Sequence, residues 1–450
     1  MAKELFGTDG IRGVAGEYPL DRATVYAFGA ALGQDAAAGP RGRPAGPEIL
    51  IGADTRESSP WIAELVAGGL ESRGARVRYA GVVTTPGVAY LTRTGPFVAG
   101  VMISASHNPY QDNGIKVFGH SGFKLPDTEE HAIEREILRL RDQGVAPRPA
   151  ELAVDEALDR QYLEHLVSTV PVRFEGVKLA VDCGNGAACK LAPDLFRRMG
   201  AEVTALGCTP DGRNINLNCG ALHVDSLREA VLAEGADFGV AFDGDADRAI
   251  FVAKSGKIVN GDAVLLASAR ALKAAGRLTG DLVVATVMSN LGLEKALERG
   301  GIRMTRTPVG DKYVLEEMVR LGAALGGEQS GHVIFREYST TGDGLLTALR
   351  VFEIARQAGV GLDELTADLE VYPQKLVNVR VREKKELTEL PSVAREIRRA
   401  EEAFGSAGRV LVRFSGTEPL ARVMVEGPDL ERVESFSARI AEAIQREMGA

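Results

Sequence analysis

Residues 177–182 read Val177-Lys-Leu-Ala-Val-Asp182, an apolar strand closing on a carboxylate, and two similar stretches accompany it: Ile49-Leu-Ile-Gly-Ala-Asp54 and Leu282-Val-Val-Ala-Thr286. Each is followed by a helical stretch, a Gly-Ala or Gly-Ile step and a second strand. Those second strands are Gly74-Ala-Arg-Val77, Gly200-Ala-Glu-Val203 and Gly301-Ile-Arg-Met304. Each then runs on to a Thr-Pro, at Thr85-Pro86, Thr209-Pro210 and Thr307-Pro308. A third apolar strand leads into the loops Ser104–Pro109, Asp243–Arg248 and Gly327–His332. Strands alternating with helices in this order read as parallel α/β units. Three matching copies predict three topologically similar α/β domains, and they are too long and unequal to be solenoid repeats. Ligands of open α/β sheets bind beyond the carboxyl ends of the strands. The three loops are therefore expected to line one central cleft. The tail changes pattern: strand 375–381, helix 391–404, strands 409–414 and 421–426, then a helix from about Leu430 to Met448 with Leu430, Val433, Ile440 and Ile444 near helical spacing. That order predicts a smaller carboxyl-terminal α+β domain. With linker-like composition at Gln143–Pro149 and Tyr372-Pro373, the expected domains are 1–150, 151–256, 257–371 and 372–450.

Composition narrows the function. The chain has 450 residues, 45% apolar and 26% charged, which suits a globular protein of several domains. Its formal charge is 53 minus 62, or −9, with no polybasic run. Nucleic acid and membrane surfaces are therefore not expected partners. The stretch Met1–Gly10 lacks an apolar segment of the signal type, so a cytoplasmic setting is expected. Cys183, Cys189, Cys208 and Cys219 include no Cys-x-x-Cys pair and read as buried free thiols.

The strand-end loops carry the chemistry. Ser104-Ala-Ser-His-Asn-Pro109 offers a serine hydroxyl beside His107, and Asn113-Gly-Ile-Lys116 follows with an amine. Asp243-Gly-Asp-Ala-Asp-Arg248 crowds three carboxylates into five residues. Two unit charges about 4 Å apart repel by roughly 4 kcal/mol at an effective dielectric near 20. Asp243, Asp245 and Asp247 thus call for a cation. An EF-hand is excluded, because Arg248 and Lys254 stand where its glycine and glutamate belong. Magnesium is favoured if a phosphate oxygen completes the shell, and a serine nucleophile beside it suggests phosphoryl transfer. A solvated acidic turn and a plain Asn-Pro turn are the alternatives for these two loops. Glu328-Gln-Ser-Gly-His332 gives a carboxylate, an amide, a hydroxyl and an imidazole, suited to sugar hydroxyls or an amino group. Gly7–Gly13 adds Arg12 in a glycine-rich setting. Arg413-Phe-Ser-Gly-Thr-Glu-Pro419 with Arg422 suits a phosphate dianion held by Ser415, Thr417, the amides around Gly416 and the guanidinium groups, although a β-turn alone accounts for the same residues.

These four loops, in this order over nearly the whole chain, resemble those of the α-D-phosphohexomutases. The resemblance places the phosphorylated serine at Ser106, the metal on Ser106 and the three aspartates, the sugar loop at Glu328, Ser330 and His332, and the phosphate loop at Arg413, Ser415, Gly416, Thr417 and Arg422. It implies a four-domain arrangement. Phe6–Gly13, Pro210–Asn216 and Gln329 are most similar to the branch acting on glucosamine phosphates, while Phe414 departs from the usual pattern. The implied reaction interconverts glucosamine 6-phosphate and glucosamine 1-phosphate through a 1,6-bisphosphate. Glucosamine or glucose 1,6-bisphosphate would be the phosphorylating activator and Mg2+ the metal. Arg12 and Arg248 are then expected to stabilise charge beside His107. Lys116 is expected to transfer a proton, with His332 as the second candidate. A glucose or mannose specificity within the family is the nearest alternative. An aspartyl phosphatase, or a non-catalytic sugar-phosphate sensor, leaves either the Ser106 loop or the aspartate loop unexplained. The expected partner is a small-molecule sugar phosphate and, at most, a second copy of the chain in a homodimer.

Overall fold

A computed structural model describes residues 4–7, 9–38, 46–383, 385, 390–414 and 419–449. Two compact units emerge, one of residues 1–288 and 304–366, the other of 289–303 and 367–450.

The first unit contains the three copies, and their sheets share one plan. In the first, strands Phe6–Gly7, Gly10–Val14, Asp112–Gly119, Ala99–Ile103, Glu48–Ala53 and Arg76–Val82 lie side by side in that order. In the second, the order is Ile258–Val259, Ala249–Ala253, Phe238–Phe242, Lys178–Asp182 and Glu202–Leu206. The third runs Arg303–Thr307, Leu282–Thr286, Leu325–Gly327 and Val333–Phe335. Each copy's first strand is central and pairs in parallel with its third, and the third is followed by an antiparallel return strand. The central strands are buried on both faces, as parallel sheets covered by helices require. Turning back antiparallel at the third strand's end makes the connecting loop a tight hairpin on the sheet edge. These hairpins are the serine, aspartate and Glu328 loops.

The Thr-Pro steps do different work. Thr84 Oγ1 accepts from Gly87 N–H at 3.1 Å, and Pro86 sits in the first turn of helix Thr85–Thr94, where no amide hydrogen is needed. After Thr307-Pro308 the helix starts at Asp311. In the second copy, however, Thr209-Pro210 opens a long loop, and the helix waits until Asp225. Asp211 is the local reason: its side chain accepts from the amides of Arg213 and Asn214 and closes a turn instead. Of the cysteines, expected buried, only Cys183 is fully so; Cys189, Cys208 and Cys219 are half-buried, and all four are free.

The second unit is a three-stranded antiparallel sheet, ordered Gln374–Arg380, Leu420–Glu426, Arg409–Phe414, with helices Pro391–Phe404 and Leu430–Met448. Val423, Val425, Val393, Val433, Ile440 and Ile444 form its core. Helix Leu291–Arg299, which the chain pattern assigns to the third copy, belongs to this unit: Leu291 N–H donates to the buried Glu426 carboxylate at 2.9 Å. No helix among the described residues is long and apolar enough to cross a membrane.

Candidate active site

The serine and aspartate loops meet. Ser106 Oγ donates to Asp243 Oδ2 at 2.5 Å, and His107 Nδ1 lies 3.3 Å from the same hydroxyl. The approach is tight enough to demand glycine: a Cβ on Gly244 would fall 2.4 Å from the Ser106 carbonyl oxygen. Ser106 itself has φ +53, a left-handed conformation rare for a side-chain-bearing residue. Ser104, the rival hydroxyl, is fully buried; it donates to Asp54 Oδ2 at 2.7 Å and accepts the Ser106 amide at 2.9 Å. Its role is to brace the loop, which leaves Ser106 as the serine facing the carboxylates.

Asp243, Asp245 and Asp247 offer ligand oxygens all within 4.8 Å of one another, and all three are buried. This disposes of a solvated turn. Burial and the Asp247 and Asp245 charges raise the Asp243 carboxyl, and burial with Asp245 raises Asp247. Burial also works on Asp245, yet Lys116 and a 2.5 Å bond from Thr85 Oγ1 hold it below the ordinary range. Asp245 Oδ1 and Asp247 Oδ1 are buried with no hydrogen-bond partner. Acceptor oxygens left over in a cluster of like charges fit a hard dication.

Lys116 belongs to the aspartate loop rather than to the serine. Its buried Nζ is 2.8 Å from Asp245, 3.0 Å from Asp9 and 3.7 Å from Asp247. Burial opposes the ammonium, but these three carboxylates raise its pKa. Asp9 in turn pairs with Arg12 and Lys124, and Lys124 pairs with Asp311. An alternating chain of charge thus runs from the aspartate loop to Asp311, whose carboxylate is 3.8 Å from His332 Nε2. Arg248 donates its amide to Asp243 and places its guanidinium 3.8 Å from Asp247. Burial, Arg248 and Arg12 depress His107 to about 4, so it is neutral at pH 7.

In the third copy, Glu328 Oε1 accepts from Gly310 N–H at 3.1 Å and Ser330 is exposed. His332 Nε2 accepts from Gly342 N–H at 3.2 Å, while its buried Nδ1 has no hydrogen-bond partner. His332 and Arg248 form an isolated antiparallel bridge, which joins the Glu328–His332 loop and the aspartate loop through backbone. In the second unit, Arg413 and Arg422 face each other across adjacent strands. Like charges at opposed strand positions are destabilising, and burial and Arg422 lower Arg413's pKa. Ser415, Gly416 and Thr417 lie outside the described residues.

Asp9, Thr85, Lys124 and Asp311 join the site without being among the residues that the sequence motifs single out. Asp9 shares a loop with Arg12, and Thr85 stands in a repeated Thr-Pro, so two of these had a signal in the sequence.

Comparison with known proteins fits this geometry. Family models described as phosphoglucomutase/phosphomannomutase alpha/beta/alpha domains I, II and III and C-terminal domain match residues 3–143, 160–256, 260–372 and 376–443. A phosphoglucosamine mutase of Solibacter usitatus is 76% identical over 449 residues, covering 100% of both chains. A phosphoglucomutase/phosphomannomutase family protein from Burkholderia thailandensis has the same fold, with TM-score 0.79, 23% identity and coverage of 99% of each chain. N-acetylphosphoglucosamine mutase of Aspergillus fumigatus, solved with GlcNAc-6P and magnesium, aligns with TM-score 0.62 at 18% identity over 99% of this chain and 96% of that one.

Proposed function

This chain belongs to the phosphoglucomutase/phosphomannomutase family, in its phosphoglucosamine mutase branch, and on that premise we propose that it interconverts glucosamine 6-phosphate and glucosamine 1-phosphate with Ser106 as phosphoryl carrier. It is an intramolecular phosphotransferase. The observation that carries the reading is the Ser106 hydroxyl on Asp243, within a cluster of three buried carboxylates.

In the forward half-reaction, O1 of glucosamine 6-phosphate attacks the phosphorus on Ser106. The P–Oγ bond breaks, Oγ recovers a proton, and glucosamine 1,6-bisphosphate forms. After the sugar turns over, Ser106 Oγ attacks the 6-phosphate and O6 leaves as a hydroxyl. Neutral His107 flanks the serine hydroxyl and serves to take and return its proton, while Asp243 Oδ2 accepts the hydroxyl's hydrogen bond and fixes its direction. Arg12 and Arg248 stabilise charge on the transferring group. Lys116 and His332 are the candidates for the sugar hydroxyl's proton. Asp243, Asp245 and Asp247, with an oxygen on Ser106, would hold magnesium, which supplies neutralisation of phosphoryl charge when bound. Glu328 and Ser330 would bind the sugar. Arg413, Ser415, Gly416, Thr417 and Arg422 would bind the phosphate that is not reacting, and the opposed Arg413 and Arg422 guanidinium groups support this. Domain limits at 150, 256 and 371, glucosamine or glucose 1,6-bisphosphate as activator, and a cytoplasmic setting suited to four free thiols complete the reading.

The test is a panel of glucosamine, glucose and mannose 6-phosphates with magnesium and a sugar bisphosphate. Turnover highest on glucosamine 6-phosphate is expected. A preference for glucose or mannose would move the chain to the other branch, and absence of phosphate on Ser106 would remove the carrier.

A further inference from the structure

Arg56 is buried completely, and five acceptors surround its guanidinium. Nε donates to Asp54 Oδ2 at 2.8 Å; Nη1 donates to the carbonyls of Pro109 and, at 3.0 Å, Asp112; Nη2 donates to those of Ser106 and Asn108, both at 2.9 Å. Four carbonyl oxygens of the serine loop therefore converge on one cation. Asp54 balances its charge and also accepts from Ser59 and Ser104, and Ser104 accepts the Ser106 amide. From the second copy, Asn216 Nδ2 donates to the same Ser106 carbonyl at 3.0 Å.

The loop needs this. Left-handed backbone at a residue with a Cβ is unfavourable and persists only when its surroundings over-determine it. A phosphorylated Ser106 would also carry about two negative charges beside carbonyl dipoles. We propose that Arg56 is the positioning residue of the phosphoryl-carrying loop. It draws four carbonyls away from the phosphate position and locks Ser106 with Oγ aimed at Asp243. The inference rests on the proposed role of Ser106. Lysine cannot replace it, because an ammonium has three donors at one point where arginine spreads five over a plane.

The test is R56K, which keeps the charge. Displacement of a reacting group by about 1 Å costs on the order of 100-fold. The variant should therefore lose about that much in kcat, and equally in the rate at which glucose 1,6-bisphosphate adds phosphate to Ser106, read by intact mass. KM should stay within about threefold, since sugar binding lies elsewhere. Native rates in folded R56K would overturn the proposal, and so would losses that only track the folded fraction in a thermal melt. If R56K does not fold, N216A decides by the same criteria, with a loss of about tenfold expected for one donor of several. Phosphate uptake by Ser106 in the native chain without turnover of glucosamine 6-phosphate would defeat the substrate assignment alone. No uptake in the native chain would defeat both.

Discussion

Replacing Asp245 by Asn separates a metal site from a structural salt bridge. With ligand oxygens no more than 4.8 Å apart, each carboxylate pair in the loop repels by at least about 3.5 kcal/mol at an effective dielectric near 20. Asp245 takes part in two of the three pairs, so D245N relieves at least about 7 kcal/mol. It also forfeits the Lys116 attraction at 2.8 Å, about 6 kcal/mol on the same scale. These nearly cancel. The amide oxygen can still accept from Thr85, and Lys116 keeps Asp9 and Asp247. The metal-free protein should therefore unfold at nearly the native urea concentration. A dication loses a full anionic ligand and most of the repulsion it would have relieved. Only about 1.4 kcal/mol of that needs to survive to raise the half-activating magnesium concentration tenfold. The assay is a magnesium titration of turnover, alongside urea melts in chelator. An unchanged magnesium response would refute the reasoning. So would a large loss of metal-free stability, which would make Asp245 a structural partner of Lys116.

S106A should remove a phosphate-sized mass and lower turnover by orders of magnitude; full activity, or phosphate found on Ser104, counts against the carrier. E328Q should reduce the preference for glucosamine over glucose phosphates by roughly tenfold if the carboxylate meets an ammonium, because charged hydrogen bonds contribute about 1.5–3 kcal/mol against about 0.5–1.5 for neutral ones. An equal fall for both sugars would leave Glu328 out of specificity. His165 stacks on Tyr90, with ring centroids 4.0 Å apart, and burial with Arg93 depresses it to about 4. Its pKa is lower folded than unfolded, so the unfolded chain binds more protons between about pH 6.5 and 4, and stability is lost as pH falls through that window. H165F should narrow the difference between urea midpoints at pH 7.5 and 5; an unchanged difference would clear His165 of that role.

The fold was legible because apolar strands, glycine steps and Thr-Pro turns repeat locally, and each strand end hands its polar residues to one sheet edge. Ser106, Asp243, Asp245 and Asp247 were visible for that reason. The partners that organise them come from far along the chain. Thr85 reaches Asp245 across 160 residues and Lys124 reaches Asp311 across 187. Arg56 follows an ordinary strand end, and nothing local marks it as the collector of four carbonyls. Helix Leu291–Arg299 joined the other unit through Glu426, a pairing that periodicity cannot express.

Lys116 shows how packing alters a role read from sequence. A side chain that accepts a proton must first be uncharged, and three carboxylates keep Lys116 an ammonium. Placed on Asp245 and Asp247, it is the cation that the metal-free loop already owns. A dication on those aspartates competes for the same charge, and every share it takes lowers the proton affinity of Lys116. Under the proposed role, proton transfer by Lys116 would be coupled to occupancy of the aspartates. Neutral His107, 3.3 Å from Ser106 Oγ, lies beside the serine's own proton. His332 differs again: with Nε2 accepting from Gly342, a neutral ring carries its proton on Nδ1 and presents a donor. Under the proposed function the three groups would divide the work by what surrounds each of them, a division that residue type alone does not reveal.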